Sequence, residues 1–476
     1  MVDTIPLLIG KEQVFRDNTF PVFNPFSGRI IANQCLATAQ DIAKVINRLE
    51  EGSRQMRRLS ARSKAAILNQ IAAGLQEQRE DLAKTIALEA GKPIRDARGE
   101  VDRAIHVCSL AAAYCGQITG DVLPLDINPN GAGYTGYVHP LPVGPVLAIT
   151  PFNFPLNLVC HKLAPAIAAG CPFVHRPSSK TPITGYKLGM IVQHTDMPRY
   201  GYSFLPCKKQ DVQTLLASGR IKKLSFTGSA QVGWRLKQQA FRLPVTLELG
   251  GNAAAIVIKD ADIDYAAQRC VRGAYAFQGQ VCISVQRIFV QQECYEPFVA
   301  TFLDKARQLV CGNPLLEDVD IGPLIDPEAG TRIAGWLQAA LQSGARYLLT
   351  PETQGPVLTP FALTATRPEM VVEKEELFGP GVCIRPYQDI ADALSWTNHS
   401  RYGLQAGLFT YDQRMITKAF SQLEVGALIV NDVPTFRGDS MPYGGVKNSG
   451  CGREGIAYAV DSMLQPRLMV VHNLEM

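Results

Sequence analysis

Pro145-Val-Leu-Ala-Ile149-Thr-Pro-Phe-Asn153-Phe-Pro155 decides the fold of this chain. Pro145 to Ile149 reads as a short apolar strand, and a helix follows from about Leu158 to Ala169, then a second strand at Phe173-Val174. Lys222-Lys-Leu-Ser-Phe226, with a helix beginning near Ser229, repeats the unit. Strand and helix in alternation argue for a parallel sheet with helices on both faces. After Leu249-Gly-Gly251 the pattern starts again, with a strand at Ala254-Ala-Ile-Val-Ile258, a helix around Ile263 to Phe277 and a strand at Arg287-Ile-Phe-Val290. That is a second α/β unit.

Upstream, residues 40 to 90 carry apolar positions at helical spacing, as in Ile67, Leu68, Ile71, Leu75 and Leu82, and Gly91 and Pro93 supply a stop. Two stretches fit neither unit: Val122 to Val138, with a turn at Asn128-Pro-Asn-Gly131, and the strand-like Arg467-Leu-Met-Val-Val471. Gly131-Ala-Gly133-Tyr-Thr-Gly136 spells GxGxxG but leads into Tyr137-Val-His-Pro140-Leu-Pro142. A dinucleotide fingerprint needs a strand before it and a helix after it, so this one is a decoy.

A chain of 476 residues with 46% hydrophobic content suggests two or three domains. A net charge of +4, from 47 basic and 43 acidic residues, is too small and too mixed to imply nucleic acid or an anionic membrane as partner. The 12 cysteines include no CxxC pair, and the 7 histidines do not sit at metal-ligand spacing, so no metal site is expected and a reducing cytoplasm fits. The amino terminus lacks the basic and apolar regions of a secretory signal, and no long uncharged apolar run suggests a membrane span.

Three segments carry chemistry. Phe277-Gln-Gly-Gln-Val-Cys282-Ile-Ser284 sets a thiol between glycine-rich backbone and a strand. Leu247-Glu248-Leu-Gly-Gly-Asn252 offers a carboxylate among apolar neighbours, where poor hydration raises a pKa. Thr150-Pro-Phe-Asn153 offers an amide, although locally Asn153 reads equally well as a turn residue between two prolines. With Ser225-Phe-Thr-Gly228-Ser229 and Glu375-Glu376-Leu-Phe378-Gly-Pro380, these motifs resemble, in order and spacing, the NAD(P)-dependent aldehyde dehydrogenase superfamily, from about Phe23 to the carboxy terminus. Val433-Pro-Thr-Phe-Arg437 and Met441-Pro-Tyr-Gly-Gly-Val-Lys447 look most like its lactaldehyde and glycolaldehyde dehydrogenase-like branch.

The resemblance implies a Rossmann-like cofactor domain (1–121 and 143–247), an α/β catalytic domain (248–440) and a small β oligomerisation element with bridging segments (122–142 and 441–476) in a homodimer or homotetramer. It implies that Cys282 attacks the aldehyde, that Asn153 and the Cys282 backbone N–H hold the oxyanion, and that Glu248 activates water against the thioester. Cofactor contacts fall on Thr150, Pro151, Phe152, Gly228, Ser229, Val232, Leu249 and Gly250, with Glu376 on the nicotinamide ribose and Phe378 beside the ring. Gly228-Ser229 also reads simply as a helix cap. Phe154, His161, Val281, Ile283 and Tyr443 wall a small substrate channel, and Arg437, with Arg103, stands near its entrance unless both form surface ion pairs.

The adenosine end departs from the family. Arg176-Pro177-Ser178-Ser179 replaces Lys-Pro-Ser-Glu, and Leu205-Pro206 is followed by Cys207-Lys208-Lys209 instead of glycines. Losing the acid at Ser179 and gathering cations at Arg176, Lys208 and Lys209, with Ser178 beside them, favours a 2′-phosphate, hence NADP or dual use with NAD, while the bulk that replaces glycine can equally narrow the adenine pocket. Two other readings stand beside hydrolytic oxidation: acyl transfer to coenzyme A, which Glu248 opposes, and a non-catalytic structural oligomer on the same fold, which the intact trio opposes.

Overall fold

The computed structural model describes residues 2–472, so Met1 and residues 473–476 of the expected terminal segments lie outside the described residues. Five parallel strands form the centre of an eight-stranded sheet, in the spatial order Val245–Glu248, Lys223–Thr227, Val146–Ile149, Phe173–Arg176 and Tyr202–Phe204. In chain order this is 5-4-1-2-3, the Rossmann-like arrangement. The apolar run has a physical cause: Val146 and Ala148 enter one core, while Leu147 and Ile149 enter the core on the opposite face. Between Val146–Ile149 and Lys223–Thr227 the strand order reverses, and a crevice opens at the carboxyl ends of the strands at such a point. Thr150 to Asn153 and Gly228-Ser229 both leave the sheet there.

Sequence periodicity missed the sheet's edges. Leu7–Ile9 and Glu12–Val14 extend it antiparallel, and Gly450–Cys451 pairs antiparallel with Val245–Glu248 at the other edge. These strands have 2 or 3 residues each, too short to show a period. The helical stretch divides into Ala39–Arg57, Ala61–Glu77 and Arg79–Ala90, the last ended by Gly91 at φ 69°.

The second sheet has seven strands, with Val285–Gln291 and Ala253–Val257 at its centre and Gln405–Phe409 beyond. Here too alternate residues feed two cores, Ala255 and Val257 into one and Ala254 and Ile256 into the other. The stretches that fitted neither unit pair together: Leu464–His472 runs antiparallel to Tyr134–Pro142, which pairs with Asp121–Pro124. Of the decoy glycines, Gly131 ends the short turn Pro129–Gly131, Gly133 follows it at φ 79°, and Gly136 lies in this sheet. Leu468, Met469 and Val470 stand about half exposed on its edge strand.

Candidate active site

The helix Ile263–Tyr275 delivers the cysteine segment, which then turns sharply, with Phe277 and Gln278 at φ 48° and 54° and Gly279 at φ 66°. A left-handed conformation is costly for phenylalanine and glutamine and persists only where the surroundings enforce it. Gln278 Nε2 donates to Gly91 O (3.1 Å), and Gln280 Oε1 accepts from Ile325 N–H (3.0 Å). Asn153 Nδ2 donates one hydrogen to Gln280 O at 2.8 Å, which ties the first crevice loop to the loop bearing Cys282 and leaves the second amide hydrogen available. Cys282 is half-buried, and its Sγ lies 3.2 Å from Tyr443 Oη.

Glu248 ends its strand at the bottom of the crevice, where its carbonyl accepts from Gly228 N–H at 3.1 Å. Its carboxyl is 2% exposed and neither oxygen has a hydrogen-bond partner among the described residues. Burial, then the charge of Glu454, raises its pKa well above the usual 4.5, against the pull of Arg437, Lys162 and Arg453. Burial also pushes the Cys282 thiol up to about 12, with the Tyr443 hydrogen bond and Arg437 opposing, and Glu376 and Glu248 adding to the rise.

Sequence reading did not find the ionic cluster around these groups. Glu454 accepts from Lys162 Nζ (2.5 Å) and Arg437 Nη2 (2.9 Å), all three deeply buried. Against the burial that would raise it, the two cations hold the Glu454 carboxyl down at about 2. One signal was available: Lys162 interrupts the helix Asn157–Ala169, every residue of which is buried, and a buried ammonium demands a partner. Arg437 is thus neither an entrance cation nor a surface ion pair. Its guanidinium donates through Nη2 to Glu454 and stacks 3.7 Å from the centre of the Tyr443 ring, while Nε has no partner among the described residues.

Arg103 is likewise committed, to Asp439 at 2.6 Å, and Asp439 also accepts from His161 Nε2 at 3.0 Å. Burial and then Arg437 push His161 down to about 4, so a neutral imidazole carries its proton on Nε2 and keeps Nδ1 buried without a partner among the described residues. Val281, Cys282, Ile283 and Tyr443 pack into one small apolar group with Leu404 and Met441. Phe154 meets Phe277 edge to face at 6.2 Å.

For a dinucleotide, the fit can be read from this chain. Ser229 caps the helix Ala230–Gln239 without a side-chain hydrogen bond, so the first N–H groups stay open toward the crevice. Val232 lies half-buried in the first turn of that helix. Glu376 Oε1 accepts from Gly251 N–H at 2.9 Å, and a Cβ at Gly250 would come within 2.4 Å of Glu376 Oε2, so the carboxyl rests on glycine backbone next to Leu249. Burial raises Glu376 to about 7. Phe378, at φ 50°, meets Phe152 edge to face at 5.8 Å. Arg176, Pro177, Ser178, Ser179, Lys208 and Lys209 line one cleft of about 270 Å³, where Arg176 Nε donates to Cys207 O at 3.3 Å. The side chains that replace the family's glycines leave this cleft open.

A Rossmann-like sheet with this crevice, beside a second α/β unit that presents a cysteine, defines an aldehyde dehydrogenase, and sequence comparison agrees: the aldehyde dehydrogenase family pattern matches residues 14–469. The chain belongs to the aldehyde dehydrogenase family. It is 38% identical over 452 residues to a 3-sulfolactaldehyde dehydrogenase of Priestia aryabhattai (95% of this chain, 94% of that one). It is 37% identical over 474 residues to a lactaldehyde dehydrogenase of Methanococcus maripaludis (98% and 100%). Among solved structures, aldehyde dehydrogenase 21 from Physcomitrella patens in complex with its reaction product succinate superposes with a TM-score of 0.97 at 38% identity, covering 100% of this chain and 99% of that one. A glyceraldehyde-3-phosphate dehydrogenase from Methanocaldococcus jannaschii complexed with NADP gives 0.92 at 35% identity, covering 96% and 100%. The protein is an NAD(P)-dependent oxidoreductase that converts small aldehydes to carboxylic acids.

Proposed function

We propose that Cys282 is the nucleophile, Asn153 the oxyanion donor and Glu248 the base, and that the substrate is a small aldehyde without a strong anionic group, of the lactaldehyde kind. The thiolate adds to the carbonyl carbon, and the new oxyanion is met by the second N–H of Asn153 Nδ2 and the Cys282 backbone N–H. When bound, the nicotinamide supplies a hydride acceptor. The acyl group then remains on Cys282 as a thioester, and Glu248, once deprotonated, takes a proton from the attacking water. One observation carries this reading: Glu248 is sealed in the crevice with both oxygens unpaired among the described residues, which suits a group that meets a transient water and not one that builds structure.

The substrate reading rests on the arginines. Arg103 is paired with Asp439, the charge of Arg437 is balanced by Glu454, and position 281 beside the nucleophile is valine, which together disfavour a phosphate or sulfonate. Comparing kcat/KM for lactaldehyde and glyceraldehyde 3-phosphate tests it, and a clear preference for the phosphorylated aldehyde would overturn it.

The dinucleotide is assigned to Thr150, Pro151, Phe152, Gly228, Ser229, Val232, Leu249, Gly250, Glu376 and Phe378, with Arg176, Ser178, Ser179 and Lys209 at a 2′-phosphate. NADP⁺ is therefore expected to bind at least as well as NAD⁺. The domain division at 248 is supported by the break between the strands Val245–Glu248 and Ala253–Val257, which lie in different sheets. The exposed apolar edge at Leu468 to Val470 supports assembly with further copies of this chain. All 12 cysteines are free and no helix among the described residues is long and apolar enough to cross a membrane, which supports a cytoplasmic setting.

A further inference from the structure

We propose that Tyr443 donates its hydroxyl hydrogen to the sulfur of Cys282 and so stabilises the reactive thiolate, with Arg437 acting as its positioning residue. This inference rests on the reading of Cys282 as the nucleophile. Tyr443 Oη lies 3.2 Å from Cys282 Sγ, and the phenol is 2% exposed. Between a thiol and a phenol either atom can donate, but a thiolate has no proton, so in the reactive state Tyr443 must be the donor. Such a hydrogen bond to the charged form favours ionisation.

The surroundings of the sulfur make that donor necessary. Glu376 and Glu248 both oppose a negative charge at Cys282, as does burial, and Arg437 favours it. The same arginine and Glu248 act on Tyr443, together with Cys282 itself. Arg437 serves through the ring: its guanidinium carbon is 3.7 Å from the ring centre, its side chain is 6% exposed, and Glu454 anchors its far end at 2.9 Å. A cation over the π face draws electron density from the ring and makes the hydroxyl a better donor. Glu454 also fixes the backbone of Tyr443 through a pair of hydrogen bonds, Tyr443 N–H to Glu454 O at 3.0 Å and Glu454 N–H to Tyr443 O at 2.6 Å. Ring, cation and counter-ion thus form one rigid support behind the sulfur.

The test is the pH dependence of Cys282 alkylation by iodoacetamide in the full-length protein, read by mass spectrometry of the modified peptide. Tyr443→Phe keeps the ring and removes the donor, and at any pH below the midpoint alkylation should slow by about ten- to a hundred-fold, the loss expected for one hydrogen bond to a charged group. Replacing Tyr443 with 3-fluorotyrosine, a stronger donor of nearly the same size, should lower the midpoint, and it carries the test if the phenylalanine variant does not fold. A profile for Tyr443→Phe that superimposes on wild type, or a midpoint unmoved by the fluorinated residue, overturns the proposal. If alkylating Cys282 leaves aldehyde oxidation intact, the nucleophile assignment itself fails, a result distinct from an unmoved midpoint.

Discussion

Gly251 approaches Cys282 so closely that a methyl group at this position would come within 2.1 Å of the cysteine carbonyl oxygen. The backbone that follows Glu248 is therefore in contact with the loop that carries the thiol, and acid and sulfur are set by one another. Gly251→Ala should push that loop away. A displacement of about 1 Å at a reacting group costs on the order of 100-fold in rate. Steady-state kinetics should show such a loss in kcat/KM, with circular dichroism unchanged.

Glu248→Gln removes the proposed base and keeps the shape. Acylation needs less of that base than deacylation does, so the variant should release about one reduced cofactor per site in a burst and then turn over slowly, because hydrolysis has become limiting. In the wild type the deacylation rate should rise with pH, since the raised carboxyl pKa keeps the proton on Glu248 at lower pH. The variant should lose that rising limb. Stopped-flow absorbance at the reduced-nicotinamide band checks both.

Glu454 neutralises two buried cations, and Glu454→Gln leaves Lys162 and Arg437 without a counter-ion. Removing one partner of a buried ionic pair typically costs about 3 to 5 kcal/mol, which urea unfolding would register. The sign follows from the pKa. Lowered in the fold from 4.5 to about 2, this carboxyl contributes stability that is fully present above the unfolded value and is lost as pH falls toward the folded one. Acid unfolding of the wild type should therefore begin in that window, and the variant should show a shallower acid limb.

With no carboxylate at 179 and with Arg176, Lys208 and Lys209 around one cleft, NADP⁺ should bind at least as tightly as NAD⁺. Arg176→Ala should weaken NADP⁺ by about ten- to a hundred-fold, as expected for one charge-assisted contact, and NAD⁺ by less. Added salt should act in the same direction, because phosphate contacts are screened. Fluorescence titration with both dinucleotides decides the point, and equal losses would place Arg176 outside the phosphate contact.

The parallel centres of the two sheets are legible because doubly buried strands leave uninterrupted apolar runs such as Val146 to Ile149. The edge strands at Leu7–Ile9 and Gly450–Cys451 are too short for any period. Cys282, Glu248 and Asn153 can be put forward as candidates from sequence because each sits in a local motif. The cluster of Lys162, Arg437 and Glu454 is not legible, because Lys162 lies far from the other two in the chain and local reading does not pair charges across such a separation. Arg437 reads as an entrance cation, when its partner Glu454 lies buried beside it.

A covalent acyl group at Cys282 is the central step of the proposed reaction, and intact-protein mass spectrometry reads it directly. Glu248→Gln, mixed with excess NADP⁺ and lactaldehyde and quenched in acid within the burst, should gain the mass of one lactoyl group, and peptide mapping should place it on Cys282. A variant carrying both Glu248→Gln and Cys282→Ser should gain nothing and release no reduced cofactor. Cofactor reduction by that double variant at the rate of Glu248→Gln, or an acyl group found on another residue, would contradict the account.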